Sequence, residues 1–218
     1  MKRFIVIGLG SFGATVARRL SENGCRVTAI DACRERAELV EDTVYEAIIG
    51  DATERETLEE MNLHEADAVV ISLGADITTS LLATLHAREL HAQRMIVKGV
   101  SPEHEKILKY LGVERVVFPK IEVGHSVADN LTWPNMIDYL PIGQEYGVDE
   151  LNLPVELAGK TLRESQLRER YGVNVLGVKD KSTGKFDLLP AADFLLRSNQ
   201  IAVVIGQEKD LKRLREME

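Results

Sequence analysis

The sequence predicts an α/β protein, a doubly wound parallel sheet followed by a second, smaller α+β domain. Three observations predict it. Short apolar runs alternate with amphipathic segments of helical length all the way from Phe4 to Phe118, the pattern of parallel strands joined by crossover helices. The run from Ala68 to Ser72 is apolar without alternation, as a strand buried on both faces requires. The first run, Phe4-Ile5-Val6-Ile7, ends in Gly8-Leu9-Gly10-Ser11-Phe12-Gly13, a glycine pattern that opens a helix. Gly8 permits a tight turn, Gly10 lets the backbone approach a pyrophosphate, and Gly13 lets the helix pack close to the strand. Strand, turn and helix start in this order make the sheet Rossmann-like.

The first helix, Gly10 to Asn23, places Phe12, Val16 and Leu20 on one stripe and turns Arg18, Arg19 and Glu22 to water. Gly24 stops it. Its N-terminus offers N–H groups and the positive end of the helix dipole to phosphates. Val27, Ala29 and Ile30 mark the second strand, and Asp31 closes it at the spacing expected of a ribose-binding carboxylate. A helix over 34–41 and a strand over 44–49 follow, then Gly50-Asp51-Ala52-Thr53. Thr53 with Glu56 predicts a capping box opening a helix that carries Leu58 and Met61 inward. Asp51 falls at a strand end beside the crevice where open α/β sheets bind ligands, and turn chemistry accounts for a lone aspartate there more readily than ligand contact.

Leu73-Gly74 ends the fourth strand, and the helix over 77–90 has Ile77, Leu81, Leu82 and Leu85 as its apolar stripe. Met95 to Lys98 is the fifth strand; Lys98, at its carboxyl end, faces the same crevice or solvent. Ser101 caps the next helix with Pro102 at its first position, Gly112 stops it, and Val116-Val117-Phe118 is the sixth strand.

Pro134 and Pro141-Ile142-Gly143 mark a break in composition, which places the boundary near Asp138: 1–137 is the first domain and 138–218 the second. There Val148 to Leu153 reads as a strand, Thr161 and Glu164 as a capping box, and the segment to Arg170 as a helix. Val173 to Val178 is a strand, Ser182-Thr183-Gly184 turns a hairpin into Phe186 to Leu189, and Ile201 to Gly206 is a last strand before a charged helix. This domain offers no nucleophile paired with a base, so catalysis is not expected of it.

The 218 residues carry a net charge of −8 and are 44% hydrophobic, enough for a core and without the basic face that a nucleic-acid partner needs. The histidines are scattered without ligand spacing, and Cys25 and Cys33 form neither a C-x-x-C nor a disulfide framework, which fits a reducing, cytoplasmic setting. No apolar stretch is long enough for a membrane span, and the chain opens on a strand rather than a signal peptide; any work at a membrane is expected to go through a partner.

Gly8 to Gly13, Asp31 and Gly50-Asp51-Ala52-Thr53 combine with Val97-Lys98, Pro102-Glu103-His104, Leu108, Leu111-Gly112, Val116 and Pro119. This set resembles the RCK (regulator of potassium conductance) subunits of the Trk and Ktr potassium-uptake systems. The likeness spans nearly the whole chain. The helix past Gly124 to Pro134 resembles the crossover that ties subunits together in that family. Leu157 to Leu162, Arg170-Tyr171-Gly172-Val173 and Val204-Ile205-Gly206 resemble its C-terminal domain, which pairs with a twofold mate. In some members that pair encloses cyclic di-AMP; Leu167, Asn174 and Val175 suit ordinary dimer packing as well.

The resemblance implies a regulatory subunit rather than an enzyme, a homodimer within an octameric ring, lying at the inner face of the cell membrane through a membrane-embedded potassium transporter. It implies an adenine nucleotide, ATP/ADP or NAD/NADH, held by Gly8, Gly10, Ser11, Phe12, Gly13, Asp31, Ala32, Asp51, Ala52, Thr53, Leu73, Gly74 and Lys98. Two positions depart from it. Ktr-type subunits that prefer ATP carry an arginine after the second glycine, where this chain has Ser11, and a glutamate after the proline of the sixth strand, where it has Lys120. Selectivity for ATP over ADP and the divalent cation are therefore left open. The competing readings are a small NAD-dependent oxidoreductase, for which no histidine or lysine pairs with a tyrosine at a strand end, and a stand-alone nucleotide or cyclic di-AMP sensor.

Overall fold

The apolar runs before Pro119 become strands because their β-branched residues pack on both faces of a parallel sheet, and each fully buried aliphatic side chain contributes about 1.5–3 kcal/mol. A computed structural model describes residues 1–74, 76–133, 135–143 and 145–217, divided by their contacts into the units Met1–Lys120 and Ile121–Glu218. In chain order the first unit contains β1 (Arg3–Ile7), α1 (Ser11–Glu22), β2 (Arg26–Asp31), α2 (Arg34–Glu41), β3 (Glu46–Ile49) and α3 (Arg55–Glu59). Then come β4 (Ala68–Ile71), α4 (Ile77–Glu89), β5 (Met95–Lys98), α5 (Pro102–Tyr110) and β6 (Arg115–Val117), and α6 (Pro119–Thr132) leads out of the unit.

The strands are parallel in the order β3-β2-β1-β4-β5-β6. The chain steps outward from β1 to β3, then jumps back to β4 on the other side of β1. That reversal opens a crevice outside the carboxyl ends of β1 and β4, where ligands of such sheets bind. Ile5, Ile7, Val69 and Ile71 fill the core on one face, and Val6, Val27, Ala29 and Val70 fill it on the other.

Several expectations are corrected. The Thr53–Glu56 capping box does not form: α3 starts at Arg55 behind Glu54, which makes no side-chain cap. Thr53 bonds instead to Asp51, whose carboxylate is nearer. On α4 the stripe is only partly as expected: Leu81 packs against the core, but Ser80, Ala83, Thr84 and Ala87 are the buried residues while Leu82 and Leu85 are exposed. Small residues let that helix lie close to the sheet, and Leu82 and Leu85 turn outward. The helix expected past Gly124 begins earlier, at Pro119, so Gly124 lies inside it; Pro134 lies outside the described residues.

The second unit is an antiparallel sheet built from β7 (Met136–Ile142), β8 (Tyr146–Asn152), β9 (Asn174–Asp180), β10 (Phe186–Leu188) and β11 (Gln200–Gln207), ordered β10-β9-β11-β8-β7. Between β8 and β9 stand α7 (Leu162–Ser165) and α8 (Leu167–Tyr171), and α9 (Glu208–Arg215) follows β11. Sequence reading took the prolines as a break and missed β7, which contains both Asp138 and Pro141. Proline is tolerated there because β7 is an edge strand. The Thr161–Glu164 capping box is present, but the expected single helix is split at Gln166, whose φ of 48° is left-handed.

Leu151, Leu157, Leu196, Val204, Leu211 and Leu214 form this unit's core. Beside it lies a buried ion pair. Arg215 donates through Nε and Nη2 to both oxygens of Asp149, at 2.7 and 2.8 Å, and through Nη1 to Glu208 at 2.8 Å. Its guanidinium lies 5.1 Å from the ring of Trp133 and 4.9 Å from that of Tyr139. Burial pushes the Asp149 carboxyl up, with Arg215 pulling against it, and burial together with Glu208 moves the Tyr139 hydroxyl up to about 12.

Candidate functional site

At the end of β1 the chain turns through Gly8, whose φ of +88° strains any L side chain and whose added Cβ would stand 2.5 Å from the Ser72 carbonyl oxygen. Gly8 N–H donates to the Ile30 carbonyl at 2.8 Å, which ties the turn to β2. Gly13 is tighter still, since a Cβ there would lie 1.9 Å from the Gly8 carbonyl oxygen. Gly10 differs from both. Its φ is −63° and an added Cβ meets nothing within 4 Å, so packing does not demand glycine there.

Gly10 is also the N-cap of α1 and supplies no side-chain cap, whereas Asp76 caps α4 and Ser101 caps α5. The first turn of α1, at Ser11, Phe12 and Gly13, therefore presents its positive end uncapped beside open space. Both features suit an incoming phosphate.

Asp31 ends β2 and is only 8% exposed. Its Oδ2 accepts from Leu9 N–H at 2.6 Å and its Oδ1 from Cys33 N–H at 2.8 Å, while an Arg36 guanidinium nitrogen lies 3.7 Å from Oδ2. The carboxylate thus holds the glycine turn against the end of β2 and keeps acceptor capacity on both oxygens. Sequence reading found Asp31 but missed Arg36. The signal was there: five residues on, in the first turn of a helix that packs back on its own strand.

The remaining candidates fall along the same edge. Asp51 and Thr53 follow β3, whose Ile49 pairs with Asp31. Asp51 Oδ1 accepts from Thr53 N–H and Oγ–H, both at 2.8 Å, and those bonds hold the carboxyl below its usual range. Asp51 is turn chemistry first. Ala52 is buried, and Ala32 is exposed beside Asp31. Leu73 packs on the core next to Gly8, Gly74 is exposed, and Ala75 lies outside the described residues. Lys98 ends β5, two strands from β1; at about 4.8 Å per strand its Cα stands about 10 Å from the glycine turn. The structure gathers the glycine turn, Asp31 and the end of β4 into one cluster, with Asp51 at one flank and Lys98 at the other.

Comparison with known proteins assigns this frame. Residues 4–119 match the TrkA-N domain and residues 150–217 the TrkA-C domain. The chain belongs to the TrkA-N/TrkA-C family. This TrkA-N/TrkA-C chain is 33% identical over 213 residues to the Ktr system potassium uptake protein C of Bacillus subtilis (strain 168), covering 97% of this chain and 95% of that one. It is 31% identical over 212 residues to the Ktr system potassium uptake protein A of Vibrio alginolyticus, covering 96% and 94%. Among solved structures, the GsuK channel matches with a TM-score of 0.71 at 20% identity, covering 99% of this chain and 39% of that one, which shows the RCK fold. Among the described residues no helix is long and apolar enough to cross a membrane.

Proposed function

We propose that this chain is a non-enzymatic, nucleotide-binding regulatory subunit that gates a membrane-embedded potassium transporter. One observation carries the nucleotide part: an uncapped helix start and an open Gly10 stand beside an Asp31 already fixed by Leu9 N–H, all at the reversal point of the sheet. Full-length likeness to potassium-uptake proteins carries the transport part. In this reading α1 takes the first phosphates, Asp31 takes ribose hydroxyls, and the ligand is ATP/ADP or NAD/NADH. Domains 1–137 and 138–218 act as the nucleotide-binding and pairing parts. The subunit works at the inner face of the membrane through its partner, and carries no chemistry of its own.

A ligand moves a two-state gate only by its difference in affinity for the two states, and tenfold preference is about 1.4 kcal/mol per site, so several sites acting together suit a gate. We therefore place it in a homodimer within an octameric ring. Sedimentation with nucleotide should show an assembly larger than a dimer; a monomer at micromolar concentration would contradict the ring. The direct test of the function is twofold. The nucleotide retained on purification is identified by mass spectrometry, and potassium flux through a co-expressed transporter is compared with and without the chain. Turnover of NADH with small substrates would point to the oxidoreductase instead.

Asp31 also makes a prediction about the ribose. A carboxylate that accepts two hydroxyls repels a 2′-phosphate, so NADP should bind at least about tenfold more weakly than NAD. Arg36, 3.7 Å from Asp31, offsets part of that repulsion, and Arg36→Ala should widen the gap. Equal titration of NAD and NADP by the unmodified protein would contradict this.

A further inference from the structure

Two ammonium groups stand at the carboxyl edge of β5 and β6. Lys98 closes β5 and neighbours Val117 in register; Lys120 follows β6 directly after Phe118 and Pro119. Among the described residues neither has a carboxylate within ion-pair distance, while Arg55, Arg94, Lys109 and Lys185 each do. Gly99 N–H donates to the Val117 carbonyl at 2.8 Å, and a Cβ on Gly99 would stand 2.4 Å from the Phe118 ring. The two strand ends are thereby held together and the lysines with them. Lys98 is half-buried, and burial first, then the charge of Lys120, pushes its ammonium below its ordinary range. Lys120 itself is exposed, and a like charge set beside the half-buried Lys98 repels it until an anion joins them.

The position of the pair says which anion. With ribose on Asp31 at the end of β2 and the first phosphate on the turn after β1, the remaining phosphates point along the row of strands toward β4 and β5. The gap from the turn to the Lys98 Cα is about 10 Å, which a lysine side chain and one or two further phosphates span together. A nucleoside monophosphate stops short of it. Resting on the nucleotide reading above, we infer that Lys98 and Lys120 receive the terminal phosphates of a nucleoside di- or triphosphate directly, in the place where a divalent cation would otherwise neutralise them.

Affinity then rises with phosphate number, and magnesium, which neutralises the same phosphates, competes with the lysines. Calorimetric titration of the full chain with AMP, ADP and ATP, each with a chelator and then with magnesium, tests this in four proteins: unmodified, Gly10→Val, Lys120→Glu, and Lys98→Met combined with Lys120→Met. In chelator the unmodified protein should bind ATP at least about tenfold tighter than AMP, since two charge-assisted contacts are added. The double variant should keep its AMP affinity while the ATP advantage falls to within about threefold. Magnesium should weaken ATP binding to the unmodified protein and strengthen it in Lys120→Glu. An ATP-to-AMP ratio unchanged in the double variant, a magnesium requirement in the unmodified protein, or loss of AMP together with ATP in the double variant would each overturn the proposal. The nucleotide reading has its own control. It fails if the unmodified protein binds none of the three, or if Gly10→Val binds them all as before; a failure confined to the lysine variants leaves it standing.

Discussion

Asp149→Ala is expected to cost the second unit about 3–5 kcal/mol, because it leaves the Arg215 guanidinium buried with its main partner gone. The side chains of the pair are 0% and 3% exposed, so water cannot replace the lost carboxylate. Glu208 remains at 2.8 Å but reaches only from the half-exposed side, and the flanking rings of Trp133 and Tyr139 supply no second carboxylate. A loss of that size is a large share of the 5–15 kcal/mol that holds a typical domain, and each kcal/mol lowers the melting point of a unit this small by about 4–8 °C. Replacing both partners together, Asp149→Leu with Arg215→Met, should recover most of the stability, since a buried ion pair contributes little over well-packed apolar groups. Denaturant unfolding of the single and double variants separates these outcomes. A single variant that loses less than about 1 kcal/mol would show the pair to be as unimportant as an exposed one.

Gly10→Val should abolish nucleotide binding and leave the fold intact, while Gly13→Ala should damage the fold itself. The contrast comes from the space around each glycine. At Gly10 the added carbons point into open space, so the folded chain accepts them and only a ligand is displaced. A pyrophosphate that approaches the backbone there to bond the α1 N–H groups would overlap the new isopropyl group. At Gly13 even one carbon lies 1.9 Å from the Gly8 carbonyl oxygen, far inside van der Waals contact, so α1 must shift away from β1. Overpacking of this kind costs about 1–3 kcal/mol or more. Circular dichroism with calorimetric titration of ADP decides the matter: a Gly10→Val protein that is folded and still binds ADP would mean the ligand lies elsewhere.

Most of the first unit was legible in the sequence because its strands are local events. Apolar runs, glycine punctuation and caps at Ser101 and Gly112 act within a few residues of themselves, and a parallel sheet needs both faces apolar. Where sequence reading failed, a competitor lay close in space or the rule was local and the context was not. Thr53 preferred Asp51 to the helix it was expected to cap. Leu82 and Leu85 of α4 promised a place in the core stripe beside Leu81, but helix–sheet distance chose Ser80, Ala83, Thr84 and Ala87. Pro141 argued against a strand until β7 proved to be an edge.

By itself the sequence determined the doubly wound sheet, the glycine turn, Asp31 as the carboxylate that closes β2, and the capping box at Thr161. These depend on residue type and short spacing, which the chain states directly. Only the tertiary structure decided which groups meet across long separations. It set Leu9 N–H on Asp31, brought the end of β5, with Lys98, alongside the strand that leads to Lys120, and joined Asp149 to Arg215 across 66 residues. Such contacts are fixed by strand order and by how helices pack back on the sheet, and no periodicity along the chain encodes a pairing between two charges so far apart.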